Sequence, residues 1–185
     1  MPIRPAAETD LPRILEIYAP YVENTPYSFE YAVPTLADFT ARFRAITQQF
    51  PWLVWEEQGQ ILGYAYGSAP FERAAFGWCA EASVYLDPSA HRKGIGRALY
   101  RELETILSQQ GYCKVYALIT SENAASLAFH QAVGYTQTAV LPGCGWKFGR
   151  WHGLIWMEKL LHPVELPSNR PISASTFVKN YRNID

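Results

Sequence analysis

The 185-residue sequence has almost no net charge, since 16 Lys and Arg stand against 17 Asp and Glu. A chain this balanced has no global field for a polyanion, so nucleic acid is not expected as its main partner and any basic feature must be local. Cysteine is scarce. Cys79, Cys113 and Cys144 share no metal-like spacing, and neither do His91, His130, His152 and His162. No metal is expected, and the thiols suit a reduced, cytoplasmic protein. There is also no long apolar run. Asn123 to Trp146 lacks Asp, Glu, Lys and Arg, yet His130, Gln131, Gly134, Gln137, Pro142 and Gly143 interrupt it, which argues against a membrane span. The opening MPIRPAAETD lacks the apolar core of a secretory signal, and no internal repeat is visible.

What is present is globular: 49% apolar and 15% aromatic residues, enough to bury one full core and too short a chain for two. A short strand is expected within Met1 to Pro5. Leu11, Ile14, Leu15, Ile17 and Tyr18 fall at helical spacing, predicting a helix over 11–21. NTPYSFEYAVPT, 24–35, holds two prolines and three aromatics and reads as a long loop before a helix over 36–46. Two β-rich segments flank Gln58-Gly59-Gln60 within 52–69, a hairpin pattern. Further strands are expected over 81–86, 114–119, 135–141 and 154–160. Helices are expected over 95–108, where Leu99, Leu103, Ile106 and Leu107 form an apolar stripe, and over 124–133 between an Asn123 cap and Gly134. The order β-α-α-β-β-β-α-β-α-β-β predicts an α+β domain over 1–161, built on a mixed sheet. The Pro- and Ser-containing remainder, 162–185, reads as an extended tail.

The stretch AEASVYLDPSAHRKGIGRAL, 80–99, concentrates the chemistry. A strand carrying Glu81 runs into a turn of Arg92, Lys93, Gly94, Ile95, Gly96 and Arg97, which opens a helix. A helix start offers N-H groups without intrahelical partners, and glycine admits a ligand close to the main chain, so a pyrophosphate suits this place. Neither of two common nucleotide loops fits. Leu99 stands where a dinucleotide fingerprint needs its third glycine, and Lys precedes Gly where a Walker loop needs Gly-Lys. A plain strand-to-helix turn remains an alternative reading of G-x-G alone.

Four spaced motifs occur in order: Glu-x-Ser-Val-Tyr from Glu81, His-Arg-Lys-Gly-Ile-Gly-Arg-Ala-Leu from His91, Asn-x-x-Ser-x-x-x-His-x-x-x-Gly-Tyr from Asn123, and Lys-Phe-Gly-Arg-Trp from Lys147. Together they resemble the GNAT superfamily of acetyl-CoA-dependent N-acetyltransferases, and within it the phosphinothricin and methionine sulfone/sulfoximine branch. The resemblance runs from about Ile3 to Leu161. It implies the GNAT fold, a mostly antiparallel sheet of about seven strands with about four helices, and acetyl-CoA lying between the strand at 81–86 and the strand at 114–119. It further implies that the pantetheine amides meet main-chain groups of Val84, Tyr85 and Leu86, and that the pyrophosphate meets N-H groups of Arg92 to Arg97. Asn123 would reach the pantetheine arm. On that basis Ile95 is free to vary while Gly94 and Gly96 are not. The family usually has Gln or Arg where this chain has His91, here read as a solvated loop residue.

Acetyl transfer to an amine needs a base for the incoming ammonium and benefits from a proton donor at the departing thiolate; both groups titrate near ~8 in model compounds, so positioning supplies much of the rate. Glu81 suits the first task, and an exposed strand residue in an ion pair is its alternative. The resemblance assigns it as the base. His130 stands where the branch carries histidine and many relatives carry tyrosine; it is a catalytic candidate or a hydrogen-bonded packing residue. A main-chain N-H near Val84 would polarise the thioester carbonyl. Tyr135 reads as core.

For an amino-acid acceptor, Arg73, Lys147 and Arg150 are candidate carboxylate partners, with Tyr27, Phe29, Phe76, Trp78 and Trp151 as walls, although each suits surface or core equally. The branch usually reads Arg-x-Ala-Tyr-Arg where this chain has Arg73 to Gly77, so a phenol and a guanidinium are missing there. It also often has x-Asp where this chain has His152-Gly153. Acceptors therefore range from a small amino acid or analogue to a polyamine, an aminoglycoside or a protein N-terminus, and a non-catalytic acyl-CoA sensor is the other class. The resemblance also implies a homodimer.

Overall fold

The computed structural model describes residues 2–163 and 169–176. Its elements are β1 (Ile3–Pro5), α1 (Leu11–Asn24), α2 (Leu36–Thr47), β2 (Trp52–Glu57), β3 (Gln60–Ser68), β4 (Cys79–Leu86), α3 (Ile95–Gln110), β5 (Lys114–Thr120), α4 (Ala124–Ala132), β6 (Thr136–Lys147) and β7 (Arg150–Leu160). They form one seven-stranded sheet, ordered β1-β2-β3-β4-β5-β7-β6. Every described pairing is antiparallel except β4 with β5.

Helical periodicity explains the two cores. Leu11, Ile14, Ile17, Tyr18 and Val22 form the buried stripe of α1, which joins Phe39 and Phe43 of α2 against Trp52, Val54 and Tyr64. The larger core gathers the predicted stripe of α3, Leu99, Leu103, Ile106 and Leu107, with Val115, Ala117, Ile119 and Met157 of the sheet. Capping fixes the helix ends. Asn123 Oδ1 accepts from Ser126 N at 3.1 Å to open α4, and Gly134 follows that helix with φ +96°.

β4 and β5 pair only from Cys79 to Glu81 with Lys114 to Tyr116, and then part. The next carbonyl on β4, Ala82 O, accepts instead from Tyr100 Oη of α3 at 3.0 Å. The parting leaves one edge of Ala82 to Leu86 open toward β5, and this opening positions the site.

Two expectations change. The strands expected over 135–141 and 154–160 run on through the residues between them as the arms of one hairpin, because Phe148 and Gly149 both take positive φ, +51° and +73°, as a two-residue turn requires. β6 and β7 therefore continue to Lys147 and Arg150, with the register irregularity absorbed between Leu141 and Gly145. Part of the tail is also docked. Ile172 N donates to Gln110 O at 2.8 Å, Gln110 Nε2 returns a bond to Ile172 O at 2.7 Å, and Ala174 N donates to Gln49 O at 3.0 Å, burying Ala174. The rest of the expected extended tail, 164–168 and 177–185, lies outside the described residues.

Candidate active site

The open edge of β4 is the foundation of the site. Ala82 O is taken by Tyr100 and Leu86 O by Tyr21 Oη of α1 at 2.7 Å. Main-chain groups alternate edge by edge along a strand, so Val84, midway between these two, turns its N-H and C=O into the same opening, while Tyr85 pairs with Tyr64 of β3. Of the three residues expected to offer main-chain groups there, Val84 is the one left with both. The Tyr85 side chain belongs to the α1 face, edge-on to Tyr18 and Tyr21 with centroids 4.9 and 5.1 Å apart. The cleft is lined by Val84, Tyr85, Tyr27, Tyr100, Ile119, Thr120, Asn123, Ser126 and His130, among others.

The glycine turn stands at the end of this edge. Gly94 has φ +80° and caps α3, whose first helical bond is Ala98 N to Gly94 O at 3.0 Å, so the N-H groups ahead of Ala98 have no intrahelical acceptor. Arg92 is itself left-handed at φ +61°, and Arg92, Lys93 and Arg97 are exposed. The expectation that Ile95 varies freely needs correcting, because its side chain is 2% exposed and belongs to the α3 core. The protein's own packing does not demand glycine at 96. A Cβ there would meet Leu86 Cδ1 at 3.5 Å and Phe129 at 3.7 Å, ordinary contacts, so only a ligand's close approach would demand glycine. His91 is exposed as expected, with Nε2 3.3 Å from Tyr21 Oη.

Glu81 is the last β4 residue paired to β5, opposite Tyr116. Neighbours in register share a sheet face, so its carboxylate lies with Ser83, Tyr66 and Tyr116 on the side of α1. It is half-buried and its carboxyl is pushed up to about 7 by burial alone. The ion-pair alternative for Glu81 finds no cation among the described residues. Tyr116 is edge-on to Trp156 at 5.7 Å, and Phe71 stacks on Trp156 at 5.3 Å, giving an aromatic wall beside the carboxylate.

His130 lines the cleft but is only 3% exposed. Nδ1 lies 2.7 Å from Ser126 O, so that nitrogen carries the proton, and Nε2 is left as an acceptor 2.9 Å from Tyr100 Oη. Burial holds the imidazole below its ordinary pKa. Tyr100, which sequence reasoning missed, lines the cleft beside His130, and its phenol joins the imidazole to Ala82 O where the sheet opens. Tyr100 follows Leu99 and precedes Leu103 by three, so it looks like one more member of the buried stripe; nothing in its spacing marks a functional phenol.

The acceptor-side candidates separate. Tyr27 lines the cleft, and Phe29 lies against Gly145, where a Cβ would collide with its ring. Lys147 is corrected outright as an available cation: it is 3% exposed and its Nζ donates to Val22 O, Thr25 O and Ser28 O at 2.6, 3.0 and 2.7 Å. Arg73 and Phe76 border a different depression, at the Cys79 end of β4 with Tyr112 and Pro171, although Phe76 packs on Phe71 at 4.3 Å and so backs the aromatic wall. Trp78 Nε1 donates to Asn169 O, away from the cleft. Trp151 is exposed at the hairpin tip, edge-on to Trp146, and Arg150 is exposed beside it. Among the described residues no group of three potential metal ligands occurs, and no helix is long and apolar enough to cross a membrane.

Comparison with known proteins agrees with this geometry. Residues 3–156 match the model of the acetyltransferase (GNAT) domain. The chain is 39% identical over 165 residues to an L-methionine sulfoximine/L-methionine sulfone acetyltransferase of Pseudomonas paraeruginosa, covering 87% of this chain and 95% of that protein. It is 31% identical over 172 residues to a phosphinothricin N-acetyltransferase of Streptomyces viridochromogenes, covering 92% and 94%. A phosphinothricin acetyltransferase from Sinorhizobium meliloti, solved in complex with AcCoA, superposes with a TM-score of 0.87 at 33% identity, covering 94% of this chain and 96% of that one. A sheet that opens beside a glycine-turned helix, matched along most of its length by these relatives, makes the chain a member of the GNAT family of acetyl-CoA-dependent N-acetyltransferases.

Proposed function

We propose that the protein transfers the acetyl group of acetyl-CoA to the α-amino group of a small amino acid or analogue of the phosphinothricin, methionine sulfone or sulfoximine type. The single observation that carries the reading is Glu81: a half-buried carboxyl without an ionic partner among the described residues, pushed up to about 7, at the point where the sheet opens. A base poised near the working pH is the kind that accepts a proton efficiently. The names of the relatives supply the acceptor class.

In this reading the N-H groups ahead of Ala98 hold the diphosphate, with Arg92, Lys93 and Arg97 adding charge, and Asn123 and Val84 hold the pantetheine arm. Glu81 takes the proton that the ammonium loses, directly or through one water. The freed amine nitrogen bonds to the acetyl carbon, the carbon-sulfur bond breaks, and the electron pair leaves on sulfur. Val84 N-H donates to the oxyanion that develops. As charge develops on the leaving sulfur, the Tyr100 hydroxyl turns its one proton toward it from Ala82 O and His130 Nε2, which hold the phenol in place until then. Burial holds the Tyr100 phenol well above its ordinary pKa, so it contributes a hydrogen bond rather than a completed transfer. The nitrogen, still carrying one proton too many after attack, releases it to solvent, and the sulfur takes its proton from solvent.

A homodimer is also proposed. β6 is an exposed edge strand, and Val140, Leu141, Trp146 and Trp151 are 52%, 39%, 48% and 62% exposed on this hairpin, an apolar edge of the kind that invites a second copy. Sedimentation equilibrium giving only monomer at micromolar concentration would remove it.

The test of the reaction is thiol release from acetyl-CoA over a panel of L-amino acids, sulfone and phosphinate analogues, polyamines and an aminoglycoside. Turnover concentrated on the α-amino acids is expected. Turnover of polycations alone, or coenzyme binding without any turnover, would overturn the acceptor assignment.

A further inference from the structure

The cleft has two walls that no main-chain ladder joins directly: the acceptor-side loop after α1, carrying Tyr27 and Phe29, and the loop between β5 and α4, carrying Asn123. Thr120 bridges them at one point, its Oγ1 donating to Pro26 O at 2.8 Å and its carbonyl accepting from Asn123 N at 2.8 Å, and a second buried side chain touches the supports of both. His152, on β7, is 1% exposed. Its Nε2 lies 2.9 Å from Lys147 O, and Lys147 Nζ in turn ties down the carbonyls of Val22, Thr25 and Ser28. Its Nδ1 lies 2.9 Å from Glu122 Oε1, and Glu122 directly precedes Asn123. Each ring nitrogen faces an oxygen that accepts, so both bonds are made together when both nitrogens carry protons.

The pairing with Glu122 is built rather than incidental. Glu122 Oε2 accepts from Ser121 Oγ at 3.0 Å, and Ser121 N donates to Gly153 O at 3.0 Å, closing the loop against β7. Burial by itself would raise the Glu122 carboxyl, yet bonds from His152, its own amide and Ser121 hold it below its ordinary value. Arg150 is the other cation nearby, 3.9 Å from Glu122 Oε1 and exposed. At Gly153, a Cβ would come within 3.0 Å of Ser121 Oγ, so the small residue after His152 lets the loop approach.

We infer that His152 is a positioning residue that couples the two walls: through Lys147 it sets the acceptor-side loop, and through Glu122 it sets the coenzyme-side loop that bears Asn123. Ordering of one wall is then felt at the other, so acceptor and acetyl-CoA assist each other's binding. The inference rests on the acetyl-CoA reading above.

The test uses the full-length chain with three variants, Glu122→Gln, His152→Leu and the double variant, acetyl-CoA binding by calorimetry and L-methionine sulfone as the varied acceptor. Each single variant is expected to raise both the acetyl-CoA Kd and the acceptor KM roughly three- to tenfold, with kcat changed about twofold or less, and the double to be no worse than His152→Leu. A purely structural histidine would lower stability without this paired change. Effects of the two singles that multiply in the double, or a Glu122→Gln variant with both constants unaltered, overturn the coupling. If His152→Leu does not fold, Glu122→Gln alone decides, because its side chain is partly exposed and far from the acceptor loop in sequence. Wild-type protein that fails to bind acetyl-CoA would sink the functional reading itself; binding that Glu122→Gln leaves untouched sinks only this inference.

Discussion

Tyr100 of α3 and His130 of α4 meet across the cleft with Oη 2.9 Å from Nε2, and the same hydroxyl lies 3.0 Å from Ala82 O. A single phenolic proton thus faces two acceptors at the place where β4 leaves β5. In the proposed reaction His130 acts only through the phenol, since its own Nδ1 proton is committed to Ser126 O.

Tyr100→Phe is expected to lower kcat roughly 100-fold with little change in acetyl-CoA Kd, in the range for loss of one hydrogen-bond donor to developing charge. His130→Asn should cost less. Steady-state kinetics with calorimetry on the same preparations checks this, and a Tyr100→Phe enzyme with full kcat would remove the phenol from the reaction.

Glu81 predicts two opposite pH effects. Activity should rise with pH through about 7 as the carboxylate forms, and Glu81→Gln should lose that limb and about 100-fold or more of the rate. Stability runs the other way. The folded carboxyl, raised from 4.5 to about 7, binds more protons than the unfolded one between those values, so its contribution is full below 4.5 and is lost as pH rises through 7. Glu81→Gln should therefore gain up to about 3 kcal/mol over wild type at pH 8 relative to pH 4, read from urea unfolding at both.

Gly94 and Gly96 should part company. Gly94→Val strains a left-handed residue by about 1–2 kcal/mol and should abolish acetyl-CoA binding in an otherwise folded protein. Gly96→Ala fits the protein's own packing, so unfolding should be unchanged and any loss of coenzyme affinity reports how closely the diphosphate approaches. Circular dichroism and calorimetry on both variants separate the cases.

Lys147→Met removes the donor to three carbonyls in a nearly dry site, where burial already holds the ammonium below its ordinary pKa. A loss of about 3 kcal/mol is expected by urea unfolding. Unchanged stability with a raised acceptor KM would instead return Lys147 to direct acceptor binding.

Reading the fold from sequence worked where the determinants are local. The stripe of α3, the Asn123 cap, the Gln58-Gly59 hairpin and the glycine turn before α3 each depend on residues within one or two turns of chain, and each stands in the structure. It failed where a residue's fate depends on distant partners. Ile95 looked free to vary and is core, and Lys147 looked like a candidate partner for an acceptor carboxylate although its three acceptors are carbonyls 119 to 125 residues away.

By itself, then, the sequence determined the element order, the place of the glycine turn that opens α3 and the motifs that carry the family resemblance. These follow from short-range periodicity, from glycine's access to positive φ and from motif spacing. Only the tertiary structure decided that Glu81 is half-buried without a cation among the described residues, that Tyr100 joins His130 to Ala82 O where the sheet opens, and that His152 joins Lys147 to Glu122. Burial and hydrogen-bond pairing are properties of residues brought together from opposite ends of the chain, and no local pattern encodes which polar group will find which partner.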